Sequence, residues 1–253
     1  MRLVAKIFAV VVLLTASSFS FAKPAFVSQT DSLETVDRHL SGFTSIKIAG
    51  PFDVHLVQGT DESVKFEASK EFIDHIVTEV DGGVLKIHHK HDNWGWGVKS
   101  WYSDKGIWHN HKKIVVYIVI KDIKAITMSG SGDINFDEGL KAAALKLVVR
   151  GSGQVKGKID VNTLESRISG SGSIQITGNA ESSTVRVVGS GDFTGRDLIT
   201  VNSAVHVSGS GHAQVNANGQ VDAAVRGSGN VSYSGAAKSV KRSTSGSGEI
   251  SRY

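Results

Sequence analysis

Leu147-Val148-Val149-Arg150-Gly151-Ser152-Gly153-Gln154-Val155 holds one of seven Gly-Ser-Gly triplets, and the residues around those triplets decide the fold. The triplets begin at Gly130, Gly151, Gly170, Gly189, Gly209, Gly227 and Gly246, at separations of 21, 19, 19, 20, 18 and 19 residues. A unit of that length cannot bury an apolar face alone, so neighbouring copies must stack. Two positions before the first glycine stand Met128, Val149, Ile168, Val187, Val207, Val225 and Thr244. Four before it stand Ile126, Leu147, Ser166, Val185, Val205, Ala223 and Arg242. Four after it stand Ile134, Val155, Ile174, Phe193, Ala213, Val231 and Ile250. Apolar residues at alternate positions on both sides of a turn of fixed length are the period-two signature of strands. Each repeat reads as strand, Gly-Ser-Gly turn, strand, and a second turn of variable length. The second turns fall at Asp137 to Gly139, Gly178 to Glu181, Gly195 to Asp197 and Asn216 to Gly219. Stacked copies give an all-β parallel solenoid with rungs of about 19 residues. The last copy places Arg242 and Thr244 in core columns, as a capping rung should.

The outward columns are polar. Arg150, Arg167, Arg186 and Arg226 fall one or three positions before a triplet, on one exposed sheet face. Solvated, edge-protecting charge is one reading of them; a shallow basic face for an anionic glycan or surface polymer is the other.

The chain has 253 residues, 40% of them apolar, with 28 glycines and two prolines, a composition suited to a turn-rich β protein. Arg2 and Lys6, the apolar run 7–15 and Ser20-Phe21-Ala22 have the order of a secretory signal peptide, placing the mature start near Lys23. Residues 23–41 read as a polar leader and 42–253 as one β-solenoid domain, degenerate over 42–128 and regular over 129–250. Export without cysteine suggests a bacterial periplasm or exterior, and excludes disulfides, thiol catalysis and a lipoprotein anchor. No later run is long enough to span a membrane. The formal charge of +4 falls to +2 once Arg2 and Lys6 leave with the signal, which gives no case for nucleic-acid binding.

The first half continues the pattern. Gly50-Pro51-Phe52-Asp53-Val54 stands where a Gly-Ser-Gly-Asp-Ile turn would, a short helical turn is expected over 71–76, and Asp81-Gly82-Gly83 is a hairpin or solenoid turn. Residues 92–112 interrupt it. Trp94, Trp96, Trp101, Tyr102 and Trp108 lie there, with His88, His89, His91, His109 and His111 in or beside the segment. Three readings compete. The rings cover the core; or they bind carbohydrate or another surface ligand on flat apolar faces; or His89, His91, His109 and His111 converge on Zn²⁺, Cu²⁺ or Ni²⁺, although their spacing matches no strong metal motif. No nucleophile elbow, phosphate loop or calcium-binding turn repeat is present, so no catalytic residue is assigned and no cofactor is called for.

Phe43-Thr-Ser-Ile-Lys-Ile-Ala-Gly-Pro-Phe-Asp-Val, Asp81-Gly-Gly-Val-Leu-Lys-Ile and Ser129-Gly-Ser-Gly-Asp-Ile, followed by the recurring triplets, resemble the auto-transporter adhesin family with the head GIN domain over about residues 42–250. The resemblance implies a right-handed β-superhelix of two sheets, with the triplets as tight turns, no catalytic residues and a role in adhesion. The insertion at 92–112 departs from the family pattern, so its role is not carried over. The reading that follows is an exported, non-catalytic solenoid that binds a surface glycan or cell-envelope polymer. A periplasmic metal-binding protein using the histidines is the alternative, and a degenerate glycan-active enzyme the second.

Overall fold

The Gly-Ser-Gly triplets form the invariant corner of a stacked β-solenoid. In this computed structural model, which describes residues 33–90 and 114–253, the first glycine of every triplet has φ between 107° and 119°. That backbone region is closed to residues with a Cβ. The corner is itself a hydrogen-bonded ladder. Gly151 O accepts from Ser171 N at 2.9 Å and Gly172 N at 2.8 Å, and Gly189 O accepts from Ser210 N and Gly211 N at 2.9 and 3.0 Å. A residue added to one triplet would break this ladder, which explains the constant triplet length.

Five long strands carry the regular rungs: β9 (Asp133–Gly151), β10 (Gln154–Gly170), β11 (Ser173–Gly189), β12 (Asp192–Gly209) and β13 (His212–Gly227). They pair in parallel, with Gly151, Gly170, Gly189, Gly209 and Gly227 in register. The sequence places turns opposite the triplets, yet the strands pass through that second corner without ending. Register shifts between Gly157 and Ile159, Gln175 and Gly178, and Gly195 and Ile199 absorb the variable length there. The two faces therefore join into one wound sheet of sixteen strands among the described residues. β14 (Asn230–Ser234), β15 (Ser239–Ser245) and β16 (Glu249–Arg252) complete the last rungs.

The alternate positions read as core are buried through the repeats, from Ile126 and Met128 to Ala223 and Val225. In the last rung Arg242 and Thr244 are exposed, and the Arg242 guanidinium lies over the Tyr233 ring and donates to its hydroxyl, covering the end of the core. Ser166 sits in a core column between Leu147 and Val185 and is 1% exposed, with no hydrogen-bond partner for its hydroxyl. Ser183 and Ser203, also buried, bond each other at 2.8 Å.

The first half is stacked out of chain order. β2 (Ser45–Ala49) lies between β6 (Val84–His89) and β8 (Ala125–Gly130), and β3 (Phe52–Gln58) lies between β7 (Ile114–Ile120) and β9. Gly50-Pro51-Phe52 does occupy a corner: Ala49 pairs with Ser129 and Asp53 with Asp133. Antiparallel strands close this end. β4 (Ser63–Ser69) pairs with β7, β5 (Ile76–Asp81) forms a hairpin with β6 through Gly82-Gly83, and the short helix α1 (Lys70–Ile73) joins β4 to β5. β1 (Leu33–Asp37) pairs along β4, so part of the expected polar leader is an edge strand. Among the described residues no helix is long and apolar enough to cross a membrane.

Candidate functional site

The parallel register turns each outward position into a line of side chains along the solenoid. Two such lines lie just before the Gly-Ser-Gly corner. The first runs Lys86, Lys47, Thr127, Val148, Arg167, Arg186, His206, Ala224, Ser243. The second runs Ala49, Ser129, Arg150, Ser169, Val188, Ser208, Arg226, Ser245. Beyond Lys86 the first line continues to Glu79 on β5; from Lys47 and Ala49 onward neither line contains an aspartate or glutamate. The four arginines singled out from the sequence, Arg150, Arg167, Arg186 and Arg226, are exposed and share this surface. Among the described residues none of them forms an ion pair with a carboxylate. Arg167 and Arg186 are direct neighbours on adjacent rungs.

Lys47 and Lys86 join this surface only because β2 and β6 stack beneath β8. Lys86 is held by Asp81 at 2.7 Å and Glu79 at 3.4 Å. The hydrogen bond to Asp81 raises the Lys86 pKa and lowers that of Asp81. Lys47 shifts the other way: partial burial, then the charges of Arg150 and Lys86, push its pKa down. Like charge from Arg150 and Lys86 thus reaches Lys47 along this face. Val148 also points outward, yet it is only 4% exposed.

Across the corner the charge reverses. The first outward line on that side runs Val115, Asp53, Asp133, Gln154, Ser173, Asp192, His212, Asn230, Glu249, with no lysine or arginine. Further along that side is a shallow depression of about 150 Å³, lined by Asp137, Lys156, Lys158, Gln175 and Thr177. It is small for an organic ligand.

The remaining candidates divide. Trp94, Trp96, Trp101, Tyr102, Trp108, His91, His109 and His111 lie outside the described residues. The strands flanking them are placed. β6 ends beside Gly50 and β7 begins beside Phe52, so both flanking strands meet the Gly-Ser-Gly corner line. His89 is 6% exposed and stacks on Phe52, with ring centroids 5.2 Å apart. It faces the core rather than the exposed surface. Among the described residues no three His, Cys, Asp or Glu side chains are grouped to hold a metal ion.

A family model described as "Putative auto-transporter adhesin, head GIN domain" matches residues 42–237. Crystal structures share the fold. A putative adhesin from Bacteroides fragilis is 20% identical with a TM-score of 0.76, over 88% of this chain and 98% of that one. From Parabacteroides distasonis, a putative adhesin is 24% identical with a TM-score of 0.69, and a putative lipid binding protein is 24% identical with a TM-score of 0.67. Each again covers 88% of this chain and 98% of its own. No curated protein matches the chain.

Proposed function

The chain belongs to the head GIN domain family of auto-transporter adhesins, and from that membership we propose an exported, non-catalytic, adhesin-like protein that binds a surface glycan or cell-envelope polymer. The observation that carries this reading is the exposed face beside the Gly-Ser-Gly corner, where four arginines without carboxylate partners stand in two adjacent outward lines, Arg167 and Arg186 directly paired. A long flat face of this kind suits an extended ligand better than a small molecule, which needs a concave site. The tryptophans of the insertion are the second candidate contact. Indole faces stack on sugar rings, and β6 and β7, the strands on either side of the segment, meet the same corner line.

Purified mature protein applied to a glycan array and to envelope fractions tests the reading. Retention on a defined glycan class is expected, reduced by Trp94→Ala or Trp101→Ala. Retention on no glycan and no envelope fraction would refute it.

A further inference from the structure

Resting on the reading that the protein binds an envelope glycan, we propose that the ligand is a linear anionic polysaccharide lying lengthwise in the basic lane beside the Gly-Ser-Gly corner. The lane comprises the two outward lines from Lys47 and Ala49 onward, where neither holds a carboxylate, with Lys47, Arg150, Arg167, Arg186 and Arg226 along it. Parallel rungs stack about 4.8 Å apart, so Lys47 and Arg226, six rungs apart, are separated by roughly 29 Å. Arg167 and Arg186 stand one rung apart, a spacing at which two guanidiniums repel unless an anion lies between them.

The charge pattern also sets direction. Across the corner, Asp133, Asp192 and Glu249 face outward with no lysine or arginine in their line. A polyanion crossing the corner would meet like charge; one running along the axis meets only cations and neutral side chains. The lane is exposed and has no enclosing walls, and a single exposed ion pair contributes little to binding. An isolated acidic sugar therefore gains little, whereas a chain engaging several arginines at once gains by multivalency. Carboxylate, sulfate and phosphate groups all suit guanidinium recognition.

The test is a binding series on the mature protein with galacturonate oligomers of increasing length. Parallel arms use a sulfated and a phosphorylated polysaccharide, neutral dextran, and a single-stranded DNA of matched charge. Affinity is expected to rise with oligomer length and to fall steeply with salt. Arg167→Glu/Arg186→Glu should weaken binding about tenfold or more. Lys156→Glu/Lys158→Glu, the same charge change on the other side of the corner, should leave it within about twofold of wild type. Circular dichroism confirms that both variants fold. Tightest binding in the sulfated or phosphorylated arm would identify the anionic group. A monomer that binds as tightly as the longest oligomer, or equal losses in the two double variants, would overturn the lane. DNA that binds as tightly as the best polysaccharide would overturn the saccharide assignment. Binding of neutral dextran unaffected by Arg167→Glu/Arg186→Glu would overturn the proposal and leave the adhesin reading standing. If no arm binds, both fall.

Discussion

Replacing Gly189 by alanine should cost at least about 3 kcal/mol, whereas replacing the adjacent Ser190 should cost almost nothing. Gly189 has φ +112°, where an L residue is strained by about 1–3 kcal/mol. Its new Cβ would lie 2.6 Å from Gly170 O, well inside ordinary contact, and 3.3 Å from Gly170 C and N. All three atoms are backbone of the preceding rung, so no side chain can swing away; overpacking of this kind costs about 1–3 kcal/mol. Moving the rungs apart stretches the 2.9 Å bond from Ser190 N to Gly170 O, worth about 1 kcal/mol. Ser190 is exposed, and it contributes to the corner through its backbone N–H, which alanine keeps. Against a total stability of about 5–15 kcal/mol, the Gly189 change is large and should lower Tm by about 10 °C. Denaturant unfolding followed by circular dichroism, with a calorimetric check for two-state behaviour, measures both variants. A Gly189→Ala protein within about 0.5 kcal/mol of wild type, or a Ser190→Ala protein as damaged as Gly189→Ala, would show that the corner is not packed backbone against backbone.

Further outcomes follow from side chains that break the column rules. Ser166→Ala removes a buried hydroxyl with no partner and should raise the denaturant midpoint, stabilising by about 1 kcal/mol at unchanged slope. Ser183→Ala strands the Ser203 hydroxyl and should cost about 1 kcal/mol; adding Ser203→Ala should recover part of that loss, a coupling read by a double-mutant cycle. Asp81 should titrate below an ordinary aspartate by NMR, and return toward the usual value in Lys86→Ala. Its depressed pKa means that the pair's contribution is present above the unfolded aspartate range and lost as pH falls through the folded value. Lys86, shifted upward, loses its part only as pH rises beyond the ordinary lysine range. Arg186→Thr should stabilise the unliganded protein by about 0.2–1 kcal/mol at low ionic strength, with the gain shrinking as salt is added.

The regular repeats were legible because each Gly-Ser-Gly corner is local in sequence. Two fixed glycines set the register, and alternation beside them placed Val149, Ile168 and Val187 inside and Arg167 and Arg186 outside. Gly50-Pro51-Phe52 was legible as a corner for the same reason. The order of the first rungs was not. Ile48 contacts Ile87 and Met128 as ladder neighbours, partners 39 and 80 residues away, and nothing in Ser45–Ala49 states which strand will lie on either side. That crossover is also why Lys47 and Lys86 could not be joined to the arginine face in advance. The second corner misled in a different way. Gly178 and Gly195 look like turn residues, yet they sit beside bulges within continuous ladders, because a parallel stack can bend a strand without releasing its hydrogen bonds. The sequence groups His89 with His91, His109 and His111 as a candidate metal ligand; its strand alternates with Leu85 and Ile87 buried, and His89 continues that column inward against Phe52.

A parallel solenoid converts single residues into lines, and this changes how its surface charge must be judged. In a globular fold an unpaired surface arginine is isolated and inexpensive. Here Arg167 has Arg186 one rung away by construction, and Lys47 already shows a pKa lowered in part by the charges of Arg150 and Lys86. Folding alone would favour threonine or valine in these columns, residues that suit an exposed strand without repulsion. Threonine and valine do occur there, at Thr127, Val148 and Val188. The arginine positions also lack the remedy used at Lys146, whose ammonium is bonded by Glu165 on the next rung at 2.8 Å. The same register could have supplied a carboxylate beside Arg167 or Arg226 and does not. Stability considerations do not account for that omission, whereas a ligand that brings its own line of negative charge would.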